Sequence, residues 1–356
     1  MNKKRVLAML LAGAMALSMT ACGGGNSAST DGSSNDGGAS ASGGSYKVSV
    51  ILKTLAAEYW QYVKSGAEDY ASEHSDKVTV EVKGPSSETA FDEMQNMIET
   101  DLSSGTYDGI VISPLQSDTA AQLVSGTKLP IVAIDTNFTA PEVKSFVGTG
   151  NEAAAKKGGE AAVEAAKAAG WTDIKCIEIA GVQGDQTNTA RMNGYKAGVE
   201  EAGGTFLSDE VQYADATADR ATTAMEAIMQ THPEGIAIIC ANNDDMAMAA
   251  ARAAQGHDAY KNTIFLGFNG DRAACEAILD GQMTMSVAQM AYEMGYKAVE
   301  TMVQVLDGET VDEFVDSGSD VVTPDNAQER LDTLKRQLHY ENCISHKRRL
   351  CDNVHA

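Results

Sequence analysis

The chain has 356 residues, of which 43% are hydrophobic and 22% charged, a composition typical of a soluble globular protein. Its length is enough for two sizeable cores. The formal net charge of −23 at pH 7 argues against a nucleic-acid partner, because phosphates are neutralised by Lys and Arg.

The first segment has the features of a bacterial export signal that ends at a cysteine. Three basic residues at positions 3–5 precede a short apolar stretch from Val6 to Leu17, and small residues lead to Cys22. The stretch is too short to span a bilayer, which needs about 20 residues. A cysteine directly after the cleavage site is the pattern of a lipoprotein signal. We therefore expect residues 1–21 to be removed and Cys22 to be lipidated; the alternative is an ordinary secretory signal with a chance cysteine.

Residues 22–45 are predicted to form a flexible linker. From Gly23 to Ser45 the chain is almost wholly Gly, Ser, Ala, Asn, Asp and Thr, with no large apolar residue. Such a segment cannot bury a core, and it behaves as a coil with a reach of about 25 Å. The only membrane contact that we expect is therefore the lipid anchor, and the folded part begins near Tyr46.

From Tyr46 onward, strand-like runs rich in Val and Ile alternate with amphipathic helical stretches. The first series of strand candidates is Lys47–Lys53, Val78–Lys83, Gly109–Ser113, Pro130–Asp135 and Ser145–Gly148. The second series is Ile174–Ala180, Val211–Ala214, Gly235–Ala241, Thr263–Phe268 and Met283–Ala288. Near-continuous apolar runs indicate strands buried on both faces. Their alternation with helices predicts an α/β fold of two doubly wound parallel-sheet lobes.

Polar and aromatic residues follow these strands, where an open parallel sheet binds its ligands. The strand ends carry Lys53-Thr54 with Tyr59-Trp60, Ser113-Pro114, Asp135-Thr136-Asn137, Gln183-Gly184-Asp185 with Arg191 beyond, Asn242-Asn243-Asp244, Asn269-Gly270-Asp271 and Gln289. Planar amide, carboxylate and guanidinium groups suit neighbouring sugar hydroxyls, and aromatic faces suit the C–H faces of a sugar ring. The set is therefore similar to a carbohydrate pocket.

Several of these residues have a structural alternative. Asp and Asn at strand-to-helix junctions often cap helices, and we expect capping or loop stabilisation for Asp185, Asp244 and Asp271. For Asn243, Asp135 and Gln289 we expect ligand contact instead. Tyr59 and Trp60 could be core residues, and one of them is expected to be partly so.

The remaining cysteines and the C-terminal tail do not indicate a metal site. Cys176, Cys240 and Cys275 lie in or beside apolar runs and are expected to be buried small hydrophobes. Residues 335–356 carry a basic Cys/His sequence in which the spacings Cys343-x2-His346 and Cys351-x3-His355 could hold zinc. We expect an appended tail, no metal and no cofactor.

Taken in order, the motifs resemble those of the ribose/allose-type periplasmic sugar-binding proteins, the type I solute receptors of ATP-driven importers. The matching segments are Lys53-Thr54-Leu55 with Tyr59-Trp60, Pro85-Ser86-Ser87-Glu88, Ile112-Ser113-Pro114-Leu115, Phe146-Val147-Gly148-Thr149, Ala190-Arg191-Met192-Asn193-Gly194, the run from Cys240 to Met248, Gly267-Phe268-Asn269-Gly270 and Gly281-Gln282-Met283 leading to Ala288-Gln289. The similarity extends from about Tyr46 to Leu334.

The resemblance implies a two-lobed clamp with a three-segment hinge. Lobe 1 would comprise residues 46–149 plus 290–316, and lobe 2 residues 150–289 plus 317–334. The ligand contacts implied by the family are Lys53, Tyr59, Trp60, Asp135, Arg191, Asn243, Asn269 and Gln289. A ligand held by both lobes would favour closure, since closure is favoured only by contacts made in the closed state.

The chain departs from the family pattern at several positions. Ala57 stands where relatives often carry Asn, and Thr136 replaces the Arg of an Asp-Arg pair that is common after the fourth strand. Ala218 replaces an aromatic residue, and Asn269 replaces a frequent Asp. These changes make ribose a doubtful ligand and leave another aldose, a polyol or a cyclitol as candidates.

The expected function is that of a lipid-anchored extracytoplasmic receptor, a monomer that delivers a carbohydrate to the permease subunits of an ABC importer. The alternatives are a sensory receptor of the same fold for chemotaxis or signalling, and a binder of a non-sugar ligand such as a quorum signal. An enzyme is not expected: no phosphate loop, Gly-x-Ser-x-Gly elbow or His-Glu-x-x-His motif occurs in the sequence.

Overall fold

A computed structural model describes residues 45–338 of the chain. Ten α-helices are described: α1 Glu58–Glu73, α2 Phe91–Ser104, α3 Ser117–Val124, α4 Asn151–Ala168, α5 Gln186–Glu201, α6 Ala218–Thr231, α7 Asp244–Ala254, α8 Arg272–Leu279, α9 Ala291–Leu306 and α10 Ala327–Gln337. Thirteen strands are described: β1 Tyr46–Ile51, β2 Val78–Lys83, β3 Gly109–Ile112, β4 Ile131–Ile134, β5 Val143–Gly148, β6 Lys175–Ala180, β7 Thr205–Phe206, β8 Gln212–Tyr213, β9 Ile238–Ala241, β10 Ile264–Asn269, β11 Met285–Gln289, β12 Phe314–Asp316 and β13 Ser319–Val322.

The strands form two sheets. The first has the order β12-β5-β4-β3-β1-β2 and is parallel throughout. The second has the order β13-β11-β10-β9-β6-β7, with β8 also paired to β6, and only its edge strand β13 runs antiparallel, to β11. The sequence prediction of two parallel sheets is therefore confirmed.

Burial on both faces explains the strand composition. Every residue of β3, β4 and β9 is buried, and these strands consist almost wholly of Val, Ile and Ala with one Gly and one Cys. Side chains of alternate residues then pack on opposite helix layers. In the first sheet α2 and α3 cover one face, and α1 and α9 cover the other. In the second sheet α4 and α5 lie on one face, with α6, α7 and α8 on the other.

The chain passes between the sheets three times. It leaves the first sheet after β5 and enters α4, returns from β11 into α9, and crosses again between β12 and β13. We call the first sheet with its helices lobe 1 and the second sheet with its helices lobe 2. The three crossings lie close to the predicted boundaries at residues 149, 289 and 316, which remain predictions.

Differences from the predicted elements are small. The segment predicted as a strand over Val211–Ala214 pairs only at Gln212 and Tyr213, and the two-residue β7 was not predicted, because so short a strand shows no periodicity. Helix α10 continues to Gln337, past the predicted end of lobe 2 at residue 334. The buried state predicted for Cys176, Cys240 and Cys275 is confirmed.

The export signal, Cys22, nearly all of the linker and the Cys/His sequence from residue 339 onward lie outside the described residues. Within residues 45–338, no helix is long and apolar enough to cross a membrane. The same range contains no cluster of three or more His, Cys, Asp or Glu side chains that could hold a metal ion.

Close helix contact in lobe 1 depends on two glycines. Helices α1 and α9 approach so closely that a Cβ atom on Gly295 would overlap the carbonyl oxygen of Val63, and one on Gly66 would overlap that of Tyr292. The backbone itself is the obstacle, so rotation of a side chain cannot relieve the overlap.

Replacing Gly295 with Ala should therefore destabilise the protein by about 1–3 kcal/mol, even though Ala has the higher helix propensity. Urea unfolding would measure the loss. Gln304→Ala on the same helix is the matched control and should change the free energy of unfolding by less than about 0.5 kcal/mol. Equal stability of Gly295→Ala and the native chain would contradict close backbone packing as the reason for glycine at this position.

Candidate functional site

A cavity of about 660 Å³ lies between the carboxyl ends of the two sheets. Its volume is within the range of about 300–1,000 Å³ found for small-molecule sites. Eight of its lining residues are those predicted from the sequence: Lys53, Tyr59, Trp60, Asp135, Arg191, Asn243, Asn269 and Gln289. The topology therefore brings all eight together, and their contact with a ligand stays a prediction.

Asp135 is the centre of the polar cluster that lobe 1 contributes. Its carboxylate accepts hydrogen bonds from the Tyr59 hydroxyl at 2.9 Å and the Thr136 hydroxyl at 2.9 Å, and Lys53 Nζ lies 3.6 Å away. Burial, and then the charge of Asp135, raise the pKa of Tyr59 well above its usual value, which keeps the phenol protonated as a donor. The backbone of Asp135 is left-handed, with φ of 63°, a conformation that Asp tolerates better than most residues.

The aromatic pair contributes unequally to the cavity. Trp60 is 3% exposed and belongs to the core, where its indole Nε1 donates to Glu88 Oε1 at 2.8 Å. Tyr59 is only partly buried, and its ring meets that of Trp60 edge-on at 5.0 Å. The expectation that one of the pair belongs in part to the core is therefore met by Trp60.

Arg191 is held on three sides in lobe 2. Its Nε donates to Asn151 Oδ1 at 2.8 Å, an Nη donates to the carbonyl oxygen of Asn242 at 2.7 Å, and the guanidinium lies 3.8 Å from the centre of the Phe268 ring. Burial lowers the pKa of Arg191. These contacts fix the plane of the guanidinium, which is the property that a paired contact with two hydroxyls requires.

Asn243, Asn269 and Gln289 have structural partners of their own. Asn243 caps α7, because its Oδ1 accepts from the backbone N of Met246 at 2.9 Å, so our preference for ligand contact over capping did not anticipate this role. Gln289 Nε2 donates to Asn269 Oδ1 at 2.9 Å. Each side chain retains hydrogen-bonding capacity beyond these bonds.

Of the three aspartates expected to stabilise helix starts or loops, Asp185 and Asp244 do so. Asp185 caps α5 by accepting from the backbone N of Asn188 at 2.7 Å. Asp244 is fully buried and ties neighbouring loops together, accepting from Ser286 Oγ at 2.6 Å and from the backbone N of Asp271 at 3.0 Å. Asp271 makes no side-chain capping bond to α8 and lines the cavity.

Sequence reasoning missed several cavity residues. Further charged or amide side chains in the lining are Glu58, Glu88, Asn188, Asn242, Asp245 and Arg272. Asn242 was among the strand-end residues but not among the ligand contacts implied by the family. No sequence pattern indicates Glu58 or Arg272 as cavity residues, because their contact depends on how the two lobes face each other.

Among the lining residues, acidic side chains outnumber basic ones, six to three. The three basic groups are also occupied: Lys53 lies beside Asp135, Arg191 has the partners given above, and Arg272 pairs with Glu58. Such a cavity is unsuited to a phosphate or a carboxylate ligand, which would lack a free cation and meet like charges. It suits a neutral ligand with many hydrogen-bonding groups.

Residues 48–310 match the family described as periplasmic binding protein domain. The chain belongs to this family. It is 30% identical over 264 residues to the D-allose-binding periplasmic protein of Escherichia coli, covering 71% of this chain and 82% of that protein. It is 28% identical over 268 residues to the ribose import binding protein of Escherichia coli, covering 74% of this chain and 86% of the relative.

A solved structure agrees with these relatives. The ABC transporter solute-binding protein of Agrobacterium vitis with bound D-fucose is 25% identical, with a TM-score of 0.65, covering 79% of this chain and 96% of that chain. Both the recognition of a periplasmic binding protein and its type I fold are therefore confirmed. All three of these relatives are named as binding proteins, and none is named as an enzyme.

In this periplasmic binding protein an ion pair joins the two lobes beside the cavity. Glu58 begins α1 in lobe 1 and Arg272 begins α8 in lobe 2. Arg272 Nε lies 3.1 and 3.3 Å from the two Glu58 oxygens, and an Nη lies 2.9 Å from Oε2, so the contact is bidentate. Burial opposes ionisation of Glu58, but hydrogen bonds from Arg272 and Tyr62 outweigh it and lower its pKa.

Because the Glu58 and Arg272 side chains are 37% and 41% exposed, the pair is worth only about 0–1 kcal/mol. Reversing one charge should turn this attraction into repulsion and move the two lobes apart. We expect Arg272→Glu to increase the radius of gyration measured by small-angle X-ray scattering, with a smaller difference at high salt.

Two further variants control this measurement. Combining Arg272→Glu with Glu58→Arg restores opposite charges and should return the radius towards the native value. Arg252→Glu changes the charge of lobe 2 equally at an exposed position of α7 and should have no effect. A radius unaffected by Arg272→Glu at low salt would show that the pair does not influence closure.

Proposed function

We propose that this protein binds a neutral carbohydrate between its lobes, closes around it and delivers it to the permease subunits of an ABC importer. The observation that carries the proposal is the single cavity in which Lys53, Tyr59 and Asp135 from lobe 1 face Arg191, Asn243 and Asn269 from lobe 2. A ligand that contacts both sets stabilises the closed form more than the open form. No step of this function needs a catalytic group.

The chemistry of the lining supports a carbohydrate. A sugar hydroxyl can donate and accept hydrogen bonds at the same time. In the cavity, carboxylates can accept them, guanidinium groups can donate them, and amides can do both. Tyr59 adds an aromatic ring that is only partly buried. The relatives named for ribose, D-allose and D-fucose support the same class.

The identity of the sugar is expected to differ from ribose. Thr136 provides a short hydroxyl, bonded to Asp135, where the ribose-type pattern has the paired donors of an Arg. Compared with that pattern, the chain also lacks an amide at position 57, which is Ala, and a carboxylate at position 269, which is Asn. We therefore propose another aldose, a polyol or a cyclitol as the recognised unit.

The crossings give the proposed clamp its hinge. We propose lobe 1 as residues 46–149 plus 290–316 and lobe 2 as residues 150–289 plus 317–334, a division that the three passages of the chain between the sheets support. We propose that closure is a rotation about these three segments in a monomer.

The proposed location is extracytoplasmic, at the bacterial cell membrane, either in the periplasm or at the outer face, through a lipid on Cys22. The basic start, the short apolar stretch and the Gly/Ser-rich sequence up to Ser45 support this proposal. A tether of this kind would raise the local concentration of the clamp at a membrane permease.

A sugar panel tests the ligand class. At 100 times its dissociation constant, a ligand should add about 2.7 kcal/mol to the stability of residues 45–338, measured by thermal unfolding. Asp135→Asn should weaken binding about 10- to 100-fold, because a charged hydrogen-bond acceptor contributes about 1.5–3 kcal/mol. Calorimetric titration would measure the affinity.

Asp209→Asn is the matched control, since Asp209 is exposed and lies outside the cavity. It removes the same charge and should leave the affinity unchanged. Unchanged affinity in Asp135→Asn would refute the placement of the site, and no stabilisation by any carbohydrate at millimolar concentration would refute the proposed ligand class.

Cys22→Ser tests the anchor in the full chain. Without a thiol to acylate, the protein should move from the membrane fraction to the soluble extracytoplasmic fraction. Cys275→Ser removes a buried thiol instead and should stay with the membranes. Membrane association that survives Cys22→Ser would rule out lipidation at this residue.

A further inference from the structure

The ligand cavity continues into a side opening of about 1,080 Å³. Four residues line both spaces: Asp135, Thr136, Asp185 and Thr187. The opening is bounded by the starts of α3, α4 and α5, by strand β5 and by the edge strand β12 of lobe 1. Cavity and opening therefore adjoin each other in one cleft, and their combined volume exceeds the range of about 300–1,000 Å³ found for small-molecule sites.

Thr136 lies where the two spaces join. Its hydroxyl is turned back onto the carboxylate of Asp135 at 2.9 Å, so the side chain does not extend across the passage. The ribose-type pattern carries an Arg at this position. The short side chain thus leaves open a path that an Arg would narrow.

An exposed aromatic ring lines the outer end of the opening. Phe314 on β12 is 43% exposed, which is unusual for so large an apolar side chain. Its ring stacks on Phe146, with centroids 5.5 Å apart and planes inclined by 28°. Phe146 is itself partly buried against the lobe 1 core. Its ring therefore limits the motion of the Phe314 ring, which lines the cleft with an apolar face.

The charges of the opening restrict what can bind there. Its charged lining residues are all acidic, namely Asp118, Asp135, Glu152, Asp185 and Glu313, and among the described residues no Lys or Arg lines it. The starts of α3, α4 and α5 already carry Asp118, Glu152 and the capping Asp185. A phosphate or uronate group would meet these carboxylates, whereas a neutral hydroxylated ring would find hydrogen-bond acceptors and an aromatic face.

We propose that the side opening is a second sugar subsite and that the ligand is a neutral disaccharide or glycoside. One ring would occupy the central cavity, and the second would pack a C–H face on Phe314, with the glycosidic link passing Thr136. This inference rests on the proposed carbohydrate function and adds the size of the ligand to it.

Calorimetric titration with neutral disaccharides and their component hexoses tests the subsite. The probes are maltose, cellobiose, lactose, melibiose and sucrose, each compared with glucose, galactose or fructose. At least one disaccharide should bind ten times more tightly than both of its components. Phe314→Ala should weaken that disaccharide about tenfold and change the affinity for the hexose less than twofold.

Two variants complete the design. Phe91→Ala is the matched control, because Phe91 is 42% exposed but lies outside the cleft, and it should alter neither affinity. Thr136→Arg should narrow the passage and weaken the disaccharide more than the hexose, and it keeps the test valid if Phe314→Ala does not fold.

The outcomes separate the two proposals. Hexose binding that equals or exceeds all disaccharide binding, or disaccharide binding indifferent to both Phe314→Ala and Thr136→Arg, would overturn the second subsite and leave the carbohydrate function standing. Failure of every carbohydrate to bind would overturn the carbohydrate function and the subsite with it.

Discussion

A buried hydrogen-bond cluster at the crossings is the contact on which the two-lobed arrangement depends. Thr149 Oγ1 donates to Gln289 Oε1 at 3.0 Å and lies 3.5 Å from Ser317 Oγ, and all three residues are at most 5% exposed. Each belongs to a different crossing, so the cluster joins the three passages of the chain. A buried polar group without a hydrogen-bond partner is unfavourable in free energy. These hydrogen bonds therefore hold the three crossings in fixed positions relative to one another.

The same cluster connects the crossings, our proposed hinge, with the cavity proposed to bind the ligand. Gln289 Nε2 donates to Asn269 Oδ1, and the carbonyl oxygen of Gln289 accepts from Arg330 on α10 at 2.8 Å. A ligand that binds Asn269 or Gln289 therefore acts on side chains whose other partners lie at the pivot. Because α10 packs beside α8, the contact also extends to the helix that carries Arg272. The proposed coupling between ligand and closure would need no long pathway, since the cavity and the crossings share Gln289.

The sequence permits a good prediction of the architecture because burial leaves a simple pattern. Runs of Val and Ile such as those of β3 and β4 predict parallel strands buried on both faces, and the strand-end rule then places Asp135, Asn243 and Gln289 at one cleft. The local sequence pattern could not decide that Trp60 lies almost wholly in the core, or that the side-chain oxygen of Asn243 caps α7. These roles depend on packing around each side chain.

Contacts between the lobes were the least predictable part of the structure. Glu58 and Arg272 are 214 positions apart and belong to no recognisable motif, so only the facing of the lobes brings them together. Phe314 is similar: in sequence it belongs to an apolar pair, Phe314-Val315, between acidic residues, and its relation to the cleft appears only when β12 joins the edge of the first sheet beside β5. The short strand β12 is itself too brief to be identified by periodicity.

The proposed binding at this site would be an exchange of hydrogen-bond partners rather than the pairing of free groups. Asp135 already accepts from Tyr59 and Thr136, and Arg191 already donates to Asn151 and Asn242. A hydroxyl that replaces or supplements such a bond gains only about 0.5–1.5 kcal/mol, whereas a ligand that leaves one of these buried groups unpaired loses about 1–3 kcal/mol. Under the proposed function, discrimination between sugars would depend more on rejecting the wrong hydroxyl pattern than on attracting the right one. Prior pairing also fixes the geometry of the side chains before a ligand arrives, which would lower the entropy lost in the proposed closure.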